Sequence, residues 1–290
     1  MPLFASLSRV LTRWLIHNTQ KLSYPLCDFE RIRYELKPAD VVLVEGRSRV
    51  SQVIKQVTLS SWSHTFLYIG RLHDISDSSV RDIIRQHYQG EDDEQLIIES
   101  ELGCGTRICP LSRYKTEHLR ICRPKGLRYS DGQQVIHYAV SCLGQPYNVR
   151  QILDLLRFFI PYVFIPGRWR SSLFQYSPGK ETKTVCSTML AEAFATIQFP
   201  ILPLVKYGDK ATNIQLFQRN PKLCTPRDFD YSPYFEIIKY PFLDYNRYAD
   251  YKLLPWRGQN ELEGCEAEDY LSVQAMKKLE QLFHENPTDY

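Results

Sequence analysis

Short apolar runs rich in β-branched residues recur along the first part of the chain and predict the strands of a single sheet. PADVVLVEG (residues 38–46) ends at a glycine, and HTFLYIGRL (64–72) and QLIIES (95–100) follow it. TRICPL (106–111) and HLRICRP (118–124) continue the pattern. The sequence therefore predicts about five strands within the first 125 residues.

Helical spacing of apolar residues interrupts this strand pattern and then replaces it. A short helix is predicted in residues 49–62, and the polar insert 74–94 is expected to form a helix followed by an acidic surface loop. Residues 131–144 predict a longer helix, with Asp131 as its N-cap and the final glycine as its C-terminal stop. A further helix begins at Cys186, where a polar loop gives way to the run TVCSTMLAEAF.

The two ends of the chain differ from this central part. Apolar side chains in residues 1–20 share one helical face, which predicts an amphipathic helix that packs on its own domain or lies on a membrane surface. The segment 225–256 has ten aromatic residues and suggests a wrap over an apolar surface. We therefore predict an N-terminal extension over residues 1–37, one domain over 38–256 and an acidic helical tail over 257–290.

Charge and cysteine content narrow the function classes. The formal net charge of +3 is too small to indicate a nucleic-acid partner, although the segment from residue 261 onward has eight acidic residues against two lysines. The eight cysteines include no CxxC pair or zinc-type His/Cys cluster, so neither a metal nor a disulfide framework is expected. Reduced thiols predict a cytoplasmic protein. No apolar run reaches the roughly 18 residues of a spanning helix, and residues 1–20 offer peripheral contact at the inner membrane surface as the alternative.

Cys186 is the first candidate for chemistry because it stands at a helix start. Unpaired backbone N–H groups and the helix dipole stabilise a thiolate there. The alternative is a small buried core residue, so a base must also be found. Among the seven histidines, His64 differs because it follows the small polar run SSWS and opens a strand. Its alternative interpretation is an exposed histidine at a strand end.

A third group should orient the imidazole and stabilise its charged form. Glu99 ends the apolar run LIIE and would lie beside the His64 strand if the two strands pair. Glu101 is two residues further on and shares the same face by strand alternation, so it is the competing candidate. Either glutamate could instead be an ordinary exposed carboxylate.

The order of these segments resembles a known enzyme family. ADVVLVEG, SSWSHTFLYIG, LIIES, the GQPYN turn (144–148) and TVCSTMLAEAF are similar to the YiiX/YebB-like branch of the NlpC-type cysteine hydrolases, over about residues 38–199. This branch is related to lecithin retinol acyltransferase-like enzymes. The resemblance implies an α+β, circularly permuted papain-like fold. In that fold an antiparallel sheet packs against the helix that carries the nucleophile, and helical extensions are expected at both ends.

Permutation places the nucleophile after the base, and Cys186 follows His64 in this chain. The resemblance therefore implies Cys186 as nucleophile, His64 as general base and Glu99 as orienting residue. It also implies that Tyr147, in the G-x-x-Y turn, lies near the site, where its hydroxyl would assist the oxyanion or contact substrate. The resemblance implies no cofactor.

Three hypotheses about function follow. The first is a cysteine hydrolase or acyltransferase that acts on the amide or ester of a small-molecule, lipid or peptide acyl substrate through an acyl-enzyme. The second is an amidase or endopeptidase that cuts peptidoglycan or a peptide, which the lack of a visible secretion signal disfavours. The third is a noncatalytic binding protein that retains the fold. The aromatic stretch 151–169 suits an acyl chain, with core packing as the alternative.

Overall fold

The protein is described by a computed structural model that covers residues 27–146, 186–207 and 214–241, together with His17. Four features predicted from the sequence lie outside these residues: the helix over residues 1–20 apart from His17, Tyr147, the aromatic stretch 151–169 and the tail 257–290. No helix in the covered ranges is long and apolar enough to cross a membrane.

Helices and strands alternate along the covered ranges. The α-helices are α1 (Phe29–Glu35), α2 (Arg49–Thr58), α3 (Ser78–His87), α4 (Tyr129–Ser141), α5 (Cys186–Thr196) and α6 (Pro226–Tyr231). The strands are β1 (Val41–Glu45), β2 (His64–Gly70), β3 (Leu96–Glu101), β4 (Gly105–Pro110), β5 (His118–Pro124), β6 (Leu204–Tyr207), β7 (Ile214–Phe217) and β8 (Phe235–Ile238).

Six of these strands form one antiparallel sheet in the order β4-β3-β2-β1-β5-β8. Strands β1 to β5 correspond to the five apolar runs, so that prediction is confirmed. Within segment 225–256, which was predicted to wrap over an apolar surface, Phe235–Ile238 instead form strand β8 and pair with β5 as the sixth strand, while residues 242–256 lie outside the described ranges. The four residues of β8 are too few to produce a clear alternating pattern among the surrounding aromatics. Strands β6 and β7 form a separate two-stranded ribbon.

The sheet has a hydrophobic layer on each face because successive strand residues point to opposite sides. On one face, Leu43 and Leu67 pack with helices α3, α4 and α5. On the other face, Val42 and Phe66 pack with α1 and with the 3-10 helix Leu111–Tyr114. Residues of α1, which precede the predicted domain boundary at 38, therefore contribute to the core, and the domain limits stay a prediction.

Helix α5 is fixed in place along most of its length. Met189, Leu190 and Phe194 are fully buried against the sheet. The Phe194 ring also contacts Phe235 of β8 edge-on, with ring centroids 5.6 Å apart. Burying one such side chain contributes about 2–3 kcal/mol. An antiparallel sheet packed on a helix that starts at Cys186 confirms the predicted α+β architecture.

The start of helix α4 differs from the prediction. Arg128 is the N-cap and the helix begins at Tyr129, so Asp131 lies in the first turn and is not the cap. An aspartate is favourable in either position, because the helix dipole stabilises negative charge throughout the first turn. The helix ends at Ser141, and Gly144 then takes a left-handed conformation with a φ of 77°.

Candidate active site

His64 lies at the start of strand β2, at one end of the sheet. It is the first residue of β2, pairs with Val44 of β1, and has a side chain that is 18% exposed. Its Nε2 atom lies 2.8 Å from Oε2 of Glu99, a carboxylate that is fully buried. The predicted pairing of the His64 and Glu99 strands is observed, since β2 and β3 are antiparallel neighbours.

The strand register explains how His64 reaches Glu99. Leu67 of β2 pairs with Ile98 of β3. Continuing that register places Glu99 opposite Phe66 and Glu101 opposite His64. His64 therefore contacts Glu99 along the diagonal, which is within reach of a long side chain.

Besides its contact with His64, the Glu99 carboxylate accepts hydrogen bonds from three other side chains. Arg107 directly opposite on β4 donates to Oε1 through Nε at 3.1 Å and Nη2 at 2.9 Å. The Cys109 thiol also lies 3.2 Å from Oε1. The buried hydroxyl of Tyr114 donates to Oε2, the same oxygen that His64 contacts. Glu99 is thus a buried anion whose two oxygens are both engaged.

The hydrogen bonds and charges around Glu99 shift the pKa values of Glu99, Tyr114 and Cys109. Burial favours the protonated form of Glu99, but the bonds from His64 and Tyr114 and the charge of Arg107 outweigh it and lower the pKa of Glu99. Burial and the negative charge of Glu99 raise the pKa values of Tyr114 and Cys109. Tyr114 and Cys109 therefore remain protonated donors to an ionised carboxylate.

Glu101, the competing candidate, has different partners. It binds Arg107 and, at 3.3 Å, Nη2 of Arg113. Its side chain is 27% exposed, whereas that of Glu99 is fully buried. Strand alternation places the two glutamates on one face, as predicted, but the carboxylate that contacts His64 is Glu99.

Cys186 belongs to α5, the helix that packs on the sheet face carrying Leu43 and Leu67. It is the first residue of α5 and only 3% exposed. Burial opposes a charge on His64, but the charge and hydrogen bond of Cys186, and those of Glu99, raise the pKa of His64 to about 10. Because Nε2 faces Glu99, Nδ1 is the ring nitrogen left to exchange a proton with Cys186.

A cavity of about 320 Å³ opens on this group. Beside Cys186 and His64 its walls carry both polar and apolar side chains. The polar ones are Arg47, Ser48, Ser51, Ser63, Ser100, Glu101, Arg113, Tyr114 and Glu117, and the apolar ones are Val44, Val50, Ile54 and Leu102. A larger cavity, of about 530 Å³, lies between the last turns of α5 and strand β7, and neither Cys186 nor His64 lines it. Of these two cavities, Cys186 and His64 line only the smaller one.

The sequence interpretation missed Arg107, Cys109 and Tyr114, which surround Glu99. A signal for the first two existed, because Arg107 and Cys109 alternate along the predicted strand TRICPL and so share one face. Tyr114 carries no such signal, since it comes from a 3-10 turn after β4. In the covered ranges no three His, Cys, Asp or Glu side chains are grouped to hold a metal ion.

Comparisons with known proteins concern the same region. Residues 35–155 match the family model of the permuted papain-like amidase enzymes, YaeF/YiiX, C92 family. No protein of curated function matches the sequence. Among solved structures, the chain is similar to a crystal structure described as the metalloprotein yiiX from Escherichia coli O157:H7. The two are 14% identical, with a TM-score of 0.44 over 71% of this chain and 98% of that one.

The matched region contains β1 to β5, and with them His64, Glu99 and the residues that surround Glu99. Cys186 lies beyond the match and joins the group through the fold. The resemblance predicted from the sequence is confirmed, because residues 35–155 match the model of the permuted papain-like amidases of the YaeF/YiiX type. This match supports a cysteine hydrolase or amidase.

Proposed function

We propose that the protein is a cysteine amidase in which Cys186 is the nucleophile, His64 the general acid and base, and Glu99 the residue that orients the imidazole. The observation that carries this proposal is the position of His64, which interacts with both the Glu99 carboxylate and Cys186. The match to an amidase family supports the same class of reaction.

The first half of the reaction forms an acyl-enzyme. In the proposed resting state an imidazolium faces a thiolate. His64 holds a proton at neutral pH because its pKa is raised to about 10, a shift to which Cys186 and Glu99 contribute. The Sγ atom attacks the amide carbonyl carbon, so that a C–S bond forms and the C–N bond breaks. The proton on His64 passes to the departing nitrogen, which leaves as a neutral amine.

The second half releases the acid. His64, now neutral, takes a proton from water, whose oxygen attacks the thioester carbon. The C–S bond breaks, and the resting pair of imidazolium and thiolate is restored. Glu99 stabilises the charged ring in both halves without taking its proton.

The start of α5 supplies a means of stabilising the tetrahedral intermediate. The first N–H groups of a helix have no acceptor within the helix, so the N–H of Cys186 can donate to the oxyanion. One such donor contributes about 3 kcal/mol. The oxyanion role of Tyr147 stays a prediction.

The cavity walls suit an amide that carries both polar and apolar groups, such as a peptide-like substrate. Serine hydroxyls and ion pairs can bind its polar groups, and Val44, Val50, Ile54 and Leu102 can pack against its apolar ones. The lipid substrate, the acyltransferase activity and membrane contact through residues 1–20 stay predictions from the sequence.

Thiol alkylation tests the activated state directly. Cys104 is exposed, whereas Cys186 is 3% exposed, so ordinary accessibility predicts faster labelling of Cys104. If His64 activates Cys186, iodoacetamide at neutral pH labels Cys186 faster, as peptide mass spectrometry would measure. His64→Gln should reverse the order while Cys104 keeps its rate.

Turnover tests the chemistry. Cys186→Ala and Cys186→Ser should both abolish hydrolysis of fluorogenic peptide amides. The wild-type protein should also form an adduct on Cys186 whose mass equals the acyl group. Undiminished turnover in the alanine variant would show that Cys186 is not the nucleophile. It would leave this site with a binding role instead of a catalytic one.

A further inference from the structure

One arginine that lines the cavity beside Cys186, Arg113, makes only long contacts with its neighbouring carboxylates. We infer that Arg113 binds a carboxylate group of the substrate, so that the preferred amide carries a carboxylate close to the bond that is cut. This inference rests on the proposed function, which supplies the amide, and adds the class of substrate.

Arg113 makes long contacts and is accessible. Its Nη2 atom lies 3.3 and 3.4 Å from the two oxygens of Glu101, and its Nε atom is 3.9 Å from Glu99. Its Nη1 atom makes no hydrogen bond to any residue in the covered ranges. The side chain is 44% exposed and lines the same cavity as His64 and Cys186. A guanidinium has five N–H donors, so several remain to bind a ligand.

Arg113 can leave Glu101 without leaving that carboxylate unpaired. Arg107 also binds Glu101, through an Nη2 that it shares with Glu99. A substrate carboxylate can therefore replace Glu101 as the partner of Arg113 while every buried charge keeps a counterion. A planar guanidinium binds a carboxylate through two parallel hydrogen bonds, which a lone Nη2 contact does not provide.

The other arginine of the cavity is not available in this way. Arg47 contacts Glu117 through both Nε and Nη2, and the two side chains are only 10% and 19% exposed. Separating that pair would leave a buried carboxylate without its cation, which is costly. The two cavity glutamates thus have arginine partners other than Arg113, and among the described residues that line the cavity Arg113 is the cation that remains open to an anionic ligand.

Matched amides test this inference. Wild-type protein, Arg113→Gln and Arg113→Lys are assayed on the glutaryl and pentanoyl amides of 7-amino-4-methylcoumarin, which differ in the terminal carboxylate. A second pair places the carboxylate on the departing amine. Lys115→Gln is the control, because Lys115 is an exposed cation just beyond the same 3-10 turn and does not line the cavity.

The wild-type protein should prefer the carboxylate in at least one pair. Arg113→Gln should lower that preference by about 10- to 100-fold in kcat/KM, as expected for one charged hydrogen-bonding partner. Arg113→Lys should keep part of it, and Lys115→Gln should leave it unchanged. An equal loss on both members of a pair, or no preference in the wild-type protein, would overturn the inference.

A binding measurement separates this inference from the proposed function. Calorimetry compares glutaric acid monoanilide with pentanoic anilide on Cys186→Ala, with and without Arg113→Gln. Carboxylate-dependent binding that requires Arg113 supports the inference whether or not the Cys186 variant has lost turnover. Equal binding of both anilides would overturn it, even if Cys186 proves to be the nucleophile.

Discussion

Two buried carboxylates lie at opposite ends of the sheet. Glu99 is fully buried beside His64, and Asp40 is 1% exposed just before β1, where it is held by both Nε and Nη2 of Arg123. Both bind an arginine, yet their pKa values move in opposite directions. Burial raises the pKa of Asp40 despite Arg123, whereas His64, Tyr114 and Arg107 together lower that of Glu99.

The difference lies in the partners that each carboxylate has besides its arginine. The arginines do not separate the two, because Arg123 also binds Glu35 and Arg107 also binds Glu101. Glu99 also has His64, whose charge it stabilises and whose protonation changes in the proposed mechanism. We infer that an ionisable partner, more than burial or an arginine, distinguishes a carboxylate of a reactive site from a structural one.

The strongest test of this comparison is Glu99→Gln. The amide keeps the shape but loses the charge that stabilises protonated His64, so kcat should fall by about 10³- to 10⁴-fold. Steady-state kinetics on a peptide amide would measure this, with circular dichroism to confirm folding. Asp40→Asn is the matched control and should leave kcat within a few-fold of wild type, as expected of a residue remote from the thiol. A large loss of kcat in both variants would show that the comparison is wrong.

Asp40→Asn should instead affect stability. The amide cannot accept all the hydrogen bonds that the carboxylate takes from Arg123 and from the N–H of Lys37, so the free energy of unfolding should fall by about 1–3 kcal/mol. Urea denaturation monitored by fluorescence would measure the change. An unchanged midpoint would mean that the Asp40 pair contributes nothing beyond its own desolvation.

A smaller effect is expected at Tyr114. Tyr114→Phe removes one donor to Glu99 Oε2 and leaves His64 as the described partner on that oxygen. We expect kcat to fall about 10-fold, the value of one hydrogen bond to a charged group. Tyr88→Phe is the control, since Tyr88 donates to Glu94 away from the site. Equal effects of the two variants would exclude a positioning role for Tyr114.

The smallest effect concerns the pH dependence of stability. Because the pKa of Glu99 is lowered below 4.5, its contribution is present above that value and is lost as the pH falls further. The pKa of Asp40 is raised above 3.8, so its contribution is present below that value and is lost as the pH rises through the raised pKa. Between roughly pH 3 and 6, the free energy of unfolding should therefore fall less steeply with decreasing pH in Glu99→Gln than in wild type, and more steeply in Asp40→Asn. Parallel curves for both variants would contradict the assignment of opposite shifts.

The sequence predicted the parts of the site that depend on local pattern. Five apolar runs marked the strands, and the change from polar to helical composition marked Cys186 as the start of α5. These features depend on neighbouring residues, which a single chain displays directly. The prediction that Asp131 is the N-cap of α4 was wrong, and Asp131 lies in the first turn. The sequence could not distinguish the two positions, because a negative charge is favourable in both.

The choice between Glu99 and Glu101 could not be made from the sequence. Both glutamates lie on one face of β3. Two contacts distinguish them, because Glu99 lies diagonally across from His64 and accepts a hydrogen bond from the Tyr114 hydroxyl. Tyr114 reaches Glu99 from a turn 15 residues away, and Arg113 of the same turn enters the cavity. Such contacts arise from tertiary packing, which leaves no periodic signal in the chain.

The chain order of the site has a consequence for how the molecule is made. Strands β1 to β5, which carry His64 and Glu99, are synthesised before α5, which carries Cys186. Synthesis proceeds from the N-terminus at about 5–20 residues per second. A nascent chain that has completed this part of the sheet therefore holds His64 and Glu99 for several seconds before Cys186 is added. In the proposed mechanism this nascent chain has no nucleophile, so the reaction becomes available only when α5 has emerged from the ribosome.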